Sequence, residues 1–314
     1  MERVLVTGGA GFIGSYLVES LISLGCRVVV LDNLSTGSLD NLSRVLNCEL
    51  LEIVKGDIRD YEVVSKSLEE CDIVFHFAAN PEVRLGIPEE HYEHNLRGTF
   101  TVLEAMRRKD VRDIVFASSS TVYGDAEVLP TPENYAPLKP ISVYGASKLG
   151  CEALISSYAY TYDFRGIAVR YANVVGPRSR RGVIYDFVKK LRANPRELEI
   201  LGDGTQTKSY IWIEDAIEAT LTVWKNIKKG FDVFNIGSED AISVKEIADI
   251  IVEVLGLRNV KYRFTGGVEG RGWPGDVKYM HLDISKIRKL GWTPKYTSRQ
   301  AVRMTAEKLA RMLS

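Results

Sequence analysis

Tyr144 and Lys148 stand four residues apart in the run Tyr144-Gly145-Ala146-Ser147-Lys148. On a helix they share one face, about one turn apart. A phenol with a neighbouring ammonium is a proton-transfer pair. A free tyrosine has a pKa near ~10, so work as a base at neutral pH needs roughly three units of lowering, about 4 kcal/mol of electrostatic help. Lys148 can supply part of it, and a second positive charge beside the phenol would supply more. Upstream, Ser118-Ser119-Ser120-Thr121-Val122-Tyr123-Gly124 follows the apolar strand Ile114–Ala117. A serine there can hold a substrate hydroxyl and relay its proton toward Tyr144. Fifteen tyrosines make a chance YxxxK match easy, and serines are ordinary at a strand end. The two features gain weight together because both fall at the carboxyl edge of a sheet.

A second chemistry sits near the amino end. Gly8, Gly11 and Gly14 are spaced GxxGxxG between the strand Val4–Val6 and a helical pattern led by Phe12 and Ile13. One glycine permits the tight turn, another lets backbone N–H groups approach a pyrophosphate, and the third packs helix on strand. Such a pattern alone is often only a turn. Here Asp32 ends the next strand about 20 residues on, where a carboxylate accepts from an adenosine ribose and repels a 2′-phosphate. The pair predicts a dinucleotide, NAD rather than NADP, with Asn33, Ser35 and Gly37 in the following loop. Asp57-Ile58 reads equally as an adenine flank or a strand-end turn. Phe77, Ala78 and Ala79 end the fourth strand with small residues that admit a cofactor or simply pack a helix.

The elements that position these groups alternate. Strands are expected at Val28–Leu31, Leu50–Val54, Ile73–Phe77, Ile114–Ala117 and Ile167–Tyr171, with helices between them, and the strands are apolar throughout. That predicts an α/β fold: a Rossmann-type, doubly wound parallel sheet covered on both faces. Past Tyr171 the rhythm becomes irregular. Helices are expected over about 184–192, over 243–255, where Ser243 and Glu246 form a capping box, and over 298–313. This half reads as a smaller C-terminal substrate-binding domain. The expected division is 1–171 with about 205–236 for the dinucleotide, and 172–204 with 237–314 for the substrate.

Lys and Arg together number 41, as do Asp and Glu, so the net charge is zero, which argues against a general nucleic-acid or anionic-membrane surface. Cys26, Cys48, Cys71 and Cys151 form no CxxC pair, so neither a disulfide framework nor a thiolate metal site is expected, and a reducing cytoplasm is the simplest setting. No stretch approaches ~18 uninterrupted apolar residues, and a strand begins almost at Met1, so neither a membrane span nor a leader is expected.

TGGAGFIG, Asp32-Asn33-Leu34, GDIRD, FAA, NLRGT, SSSTVYG, YGASK, RYANVVGPR and the PGDV…D-SK…LGW ending resemble extended short-chain dehydrogenases/reductases, in order, from Val4 to about Tyr296. Within them the sequence is most similar to the UDP-glucose 4-epimerase group of nucleotide-sugar epimerases. The resemblance implies Tyr144 as base, Lys148 as its electrostatic and ribose-binding partner, and Ser119 as relay. It implies Asn95, Tyr171 and Val174 beside NAD. On the nucleotide sugar it implies Asn173, Val183, Leu198, Ile200, Lys208, Arg271 and Asp276. It also implies a UDP-sugar substrate and a homodimer pairing helices near 92–109 and 143–160.

The departures from that pattern are informative. Lys208-Ser209 stands where Arg-Asp is usual, so a point charge replaces a bidentate fork. Trp273 aligns with the usual arginine, leaving Arg271 to supply a phosphate contact. Gly182 replaces a common Asn, and the basic loop Arg178-Ser179-Arg180-Arg181 reads equally as solvated or as a lid. Met280 falls where the hexose C2 substituent is gated, or in the core. Ser120 and Thr121 occupy the positions where dehydratases carry Asp-Glu and where decarboxylases carry a glutamate. The resemblance therefore implies epimerisation at C4 through a transient 4-keto sugar. A uronate or N-acetylhexosamine epimerase, a heptose-type epimerase, a uronate decarboxylase and a non-catalytic NAD-binding protein are the alternatives.

Overall fold

In the computed structural model, which describes residues 2–226 and 228–313, the chain divides into two compact units. The first comprises Met1–Val122, Val143–Arg170 and Ile217–Phe234, and the second Tyr123–Ser142, Tyr171–Ala216 and Asn235–Ser314. Against the expected division, residues 123–142 and 205–216 fall in the second unit, as do Tyr171 and residues 235–236 at its edges. Residues 123–142 form a loop-rich excursion with no strand run of its own to mark it.

The first unit is built on β1 (Arg3–Thr7), β2 (Arg27–Asp32), β3 (Leu51–Lys55), β4 (Ile73–His76), β5 (Asp113–Ser119), β6 (Arg165–Tyr171) and a last strand, Gly230–Ile236. The seven form one parallel sheet in the order Gly230–Ile236, β6, β5, β4, β1, β2, β3. Val4 pairs with Val28 on one side and with Ile73 on the other. The order reverses between β1 and β4, and open α/β sheets bind ligands at the carboxyl ends of strands at such a switch point. Strands with neighbours on both sides and helices on the faces are buried throughout, which is why β2 reads Val-Val-Val-Leu rather than alternating.

Helix α1 (Phe12–Ser23) buries Leu17, Val18 and Leu21 at helical spacing, and Gly25, with φ +83°, stops it. The helix expected near 92–109 is longer and less regular. It begins at Pro88–Glu90, passes through a π-helical stretch at His91–Arg97 and continues as α-helix over Gly98–Lys109. The core between the helices and this face of the sheet holds Phe116, Phe164, Leu103, Met106 and Ile155.

The second unit has shorter strands. Asn173–Val175 pairs in parallel with Tyr210–Trp212, and Glu197–Ile200 with Lys261–Phe264. Thr207–Lys208 lies between Ile242–Ser243 and Tyr279–Met280. Its helices are Val183–Ala193, Val244–Val254 and Ser298–Met312. Ser243 caps the second of these: its hydroxyl accepts from the Glu246 N–H at 3.2 Å, and the Glu246 carboxylate accepts from the Ser243 N–H at 2.9 Å. Replacing Ser243 by Ala should cost about 1 kcal/mol, read as a lower denaturant midpoint with an unchanged slope.

Candidate active site

The glycine loop joins β1 to α1 at the switch point. Gly8 donates its N–H to the Leu31 carbonyl at 2.8 Å and holds φ +70°. A Cβ on Gly8 would lie 2.6 Å from the Ala78 nitrogen, and one on Gly14 would lie 2.2 Å from the Gly8 oxygen. Any side chain at either place would prise the loop from β4 or the helix from the loop. Gly11 is the N-cap of α1 with no side-chain cap, and the first turn carries no acidic residue. The N–H groups that begin this helix are therefore available to an anion, and the local field favours one. Phe12 and Ile13 are the first two residues of that turn. Gly37 packs against Ala10, whose carbonyl accepts from the Ser38 N–H and from Asn41.

Asp32 is 8 % exposed. One carboxylate oxygen accepts from the Ala10 N–H at 3.0 Å and the other from the Leu34 N–H at 2.8 Å. A carboxylate has about four acceptor positions, so about two remain for a ribose diol. Burial raises its pKa, against those two hydrogen bonds. Glycine cradle, uncapped helix start and half-used buried carboxylate together fit a dinucleotide. Asn33 anchors the next turn, accepting from the Ser35 N–H and donating to Asp57. Asp57 takes three donors from Arg59, backbone and side chain, besides Asn33. Its acceptor positions are full, and the Arg59 side chain holds its carboxyl well below the usual carboxylate range. Ile58 beside it is buried.

From this loop a directed chain of hydrogen bonds runs through buried polar groups. The Ala78 N–H reaches the Thr7 hydroxyl at 3.3 Å, Thr7 meets His76 Nδ1 at 2.7 Å, and His76 Nε2 meets the Thr99 hydroxyl at 2.9 Å. Thr99 donates to the Asn95 carbonyl, so His76 must donate from Nε2 and accept at Nδ1. Burial lowers its pKa to about 3, which keeps it neutral. The Asn95 amide then donates to Ser147 at 2.9 Å, and Ser147 donates to the Tyr144 carbonyl at 2.8 Å. Phe77 and Ala79 flank Ala78 at the end of β4.

The helix Val143–Tyr162 carries the predicted pair. Lys148 is 3 % exposed; its Nζ donates to the Ala117 carbonyl at 2.7 Å and lies 4.7 Å from the Phe116 ring centre and 5.9 Å from that of Tyr144. Ser119 stands near enough to Tyr144 to lower the pKa of its hydroxyl. The Ser119 oxygen accepts from the Thr121 N–H at 3.2 Å and the Thr121 hydroxyl at 3.0 Å. Neither of these contacts uses the Ser119 proton, and its nearness to Tyr144 lowers the phenol pKa, which favours phenolate. Burial nevertheless pushes the Tyr144 hydroxyl up to about 12 and the Lys148 ammonium down to about 8. Tyr144, Lys148 and Ser119 are thus brought together. Thr121 orients Ser119, and His91, whose ring lies 5.8 Å from that of Tyr144, is a neighbour that no sequence pattern marked.

A separate polar cluster lies within the second unit. Lys208 Nζ pairs with the buried Asp276 carboxylate at 2.5 Å and lies 5.7 Å from the Trp273 ring centre. Arg271 donates to the Asp276 carbonyl at 2.7 Å and to Asp125 at 2.9 Å. Lys208, Arg271 and Asp276 are therefore together, as expected, with Trp273 and the unforeseen Asp125. Elsewhere in this unit the Asn173 amide donates to the Ser209 carbonyl at 3.2 Å, Val174 pairs with Ile211, and Tyr171 is buried. Val183 begins its helix after Gly182. Leu198 and Ile200 are 0 % exposed, so their side chains serve the interior, and contact with a base would fall to backbone. Met280 is likewise buried. Among the described residues no group of three or more His, Cys, Asp or Glu side chains could hold a metal ion, and no helix is long and apolar enough to cross a membrane.

Residues 4–237 match the model of the NAD dependent epimerase/dehydratase family. The chain belongs to that family. NAD is accordingly its cofactor. A solved UDP-galactose 4-epimerase is 50% identical, with a TM-score of 0.89 over 99% of this chain and 100% of that one. UDP-glucose 4-epimerase of Mycolicibacterium smegmatis is 33% identical over 97% of both chains. Human dTDP-D-glucose 4,6-dehydratase is 32% identical over 98% of this chain and 89% of its own. The family thus spans epimerases and dehydratases, and this chain resembles both.

The depressed Lys148 pKa has a measurable consequence. Folding disfavours its charged form, a cost fully present below about 8 and relieved as pH rises to the ordinary 10.5. Over that window wild type should gain up to about 3 kcal/mol relative to Lys148→Met. Chemical unfolding of both proteins at pH 7 and pH 10 reads the difference, and a pH-independent gap would refute it.

Proposed function

We propose that the protein interconverts C4 epimers of a UDP-hexose, UDP-galactose and UDP-glucose, through a transient 4-keto sugar. The observation that carries this reading is the Ser119–Tyr144–Lys148 arrangement with Ser120 and Thr121 beside it. Tyr144 takes the C4 hydroxyl proton and later returns it, and Ser119 holds that hydroxyl and relays. Expelling a C6 hydroxyl or a carboxylate needs a further acid or base, and a serine and a threonine are poor ones. Thr121, moreover, is already committed to orienting Ser119.

When bound, NAD supplies the hydride acceptor and a positive charge. Tyr144 needs both neighbouring charges. Lowering a pKa of about 12 to neutrality takes roughly 7 kcal/mol. An ammonium about 6 Å away provides about 3 kcal/mol at an effective dielectric of ~20. Lys148 alone falls short by more than half. Without cofactor the site is a resting phenol, and with it a base.

The ionic cluster of the second unit is the proposed diphosphate site, with Lys208 and Arg271 as its cations. Asp276 and Asp125 pair with them. A diphosphate that takes Asp125's place on Arg271 gains a second charge for one lost. Asn173 and Val183 are the proposed sugar-side contacts. Tyr171 and Val174 are proposed beside the cofactor, with Asp57, Ile58, Phe77, Ala78, Ala79 and Asn95.

The test is conversion of UDP-galactose to UDP-glucose by purified protein with no added NAD, beside Tyr144→Phe. Turnover that falls at least about a hundredfold in the variant supports the reading, and retention of the cofactor through purification explains its independence of added NAD. No turnover on these sugars, with conversion of N-acetylated or uronic ones, would move the specificity. Failure on all of them with NAD supplied would leave a non-catalytic NAD-binding protein.

We further propose a homodimer in the cytoplasm, with a second copy covering Tyr92, Phe100 and Tyr160. These aromatic side chains are exposed on His91–Lys109 and Val143–Tyr162, Tyr160 to 95 %. Sedimentation should give twice the chain mass, and Tyr160→Glu should shift it to one.

A further inference from the structure

Three consecutive residues at the end of β5 each meet one face of the catalytic helix. The Ala117 carbonyl accepts from Lys148, the Ser118 hydroxyl donates to Glu152 at 2.5 Å, and Ser119 stands near enough to Tyr144 to lower its pKa. Tyr144, Lys148 and Glu152 follow one another at four-residue spacing, one turn apart on a common face. Glu152 extends the catalytic face by one turn, away from the reacting edge.

Glu152 is held from a third element. Arg170, near the end of β6, grips its carboxylate through Nε at 2.9 Å and Nη2 at 2.6 Å, one nitrogen to each oxygen. Both side chains are 4 % exposed. Such a fork fixes direction as well as distance. A buried pair of this kind is poor value for stability, because desolvating both ions offsets most of their attraction; its best-attested use is to specify one arrangement. Here the arrangement specified is the strand end that carries the relay. The Ser118 hydroxyl is tied to an acceptor held both by Arg170 of β6 and by the helix that carries Tyr144.

We propose that Glu152 and Arg170 are positioning residues for the reaction, clamping Ser118 so that Ser119 stays aligned on Tyr144. The inference rests on the roles of Tyr144 and Ser119 given above. Proton transfer along Ser119 and Tyr144 requires near-hydrogen-bond geometry, and a misplacement of about 1 Å costs up to a hundredfold in rate. Loosening Ser118 shifts its neighbour by a fraction of that.

Ser118→Ala is the least invasive probe, since it leaves the Glu152–Arg170 fork in place. We expect kcat to fall about tenfold with KM for UDP-galactose unchanged and the melting temperature within a few degrees of wild type. Ser118→Thr, which restores the hydroxyl, should recover most of the loss. Glu152→Gln, which keeps an acceptor for Ser118 but weakens the fork, should fall between the two. A kcat for Ser118→Ala within twofold of wild type would overturn the proposal. A second readout does not depend on the substrate. Ultraviolet titration of the NAD-bound protein, with the Tyr144→Phe spectrum subtracted, follows ionisation of Tyr144 itself. Its midpoint should rise in Ser118→Ala, because a misaligned Ser119 donates less well to the phenolate. An unmoved midpoint counts against the clamp even if wild type turns over no nucleotide sugar, so the two readings fail separately.

Discussion

Lys148 is a cation taken out of water on the helix that carries the proton-transfer tyrosine. Burial of an ammonium is expensive, and the protein meets the cost with one carbonyl, one aromatic face and a nearby carboxylate. Everything at the reacting edge follows from keeping that cation in place. The Ala117 carbonyl must point at the helix, so β5 must end where it does. Ser118 and Ser119 then project from a strand end whose position is already set. The same burial that lowers the Lys148 ammonium pKa raises that of the Tyr144 phenol, so each group is held away from its charged form.

The same logic organises the dinucleotide edge. Tight glycine contacts between the first loop and β4 draw Thr7, His76 and Ala78 into one polar chain. Through Thr99, Asn95 and Ser147 that chain ends on the Tyr144 backbone. A neutral histidine suits this role, since it accepts at one nitrogen and donates at the other without adding a charge beside Lys148. The π-helical stretch at His91–Arg97 lies where Asn95 must serve both His91–Lys109 and the catalytic helix, and irregular turns of this kind concentrate at functional sites.

The parallel sheet, the glycine loop, Asp32 and the Tyr144–Lys148 face were legible in the sequence because each is set by local periodicity or fixed spacing. Ser119 was singled out only through the family resemblance carried by SSSTVYG. The clamp was not. Ser118 and Glu152 lie 34 residues apart, and Glu152 and Arg170 lie 18 apart. Arg271 and Asp125 are separated by 146. Tertiary pairs of that kind leave no periodic trace. Strands of two to four residues, such as Thr207–Lys208 and Ile242–Ser243, are too short to show alternation, so the irregular half of the chain concealed its small sheets. Leu198 and Ile200 matched a motif bordering a base, but the strand they occupy turns both side chains inward.

The division of the chain places the hydroxyls of Ser119 and Tyr144 near a border. The first unit gives way to the second just after Ser119, at Val122, and resumes at Val143, immediately before Tyr144. Between them the backbone makes a twenty-residue excursion, 123–142, that belongs to the second unit and contains Asp125. Ser119 and Tyr144 stand just outside its two ends, so along the chain the two hydroxyls are joined through a loop that packs with the other unit.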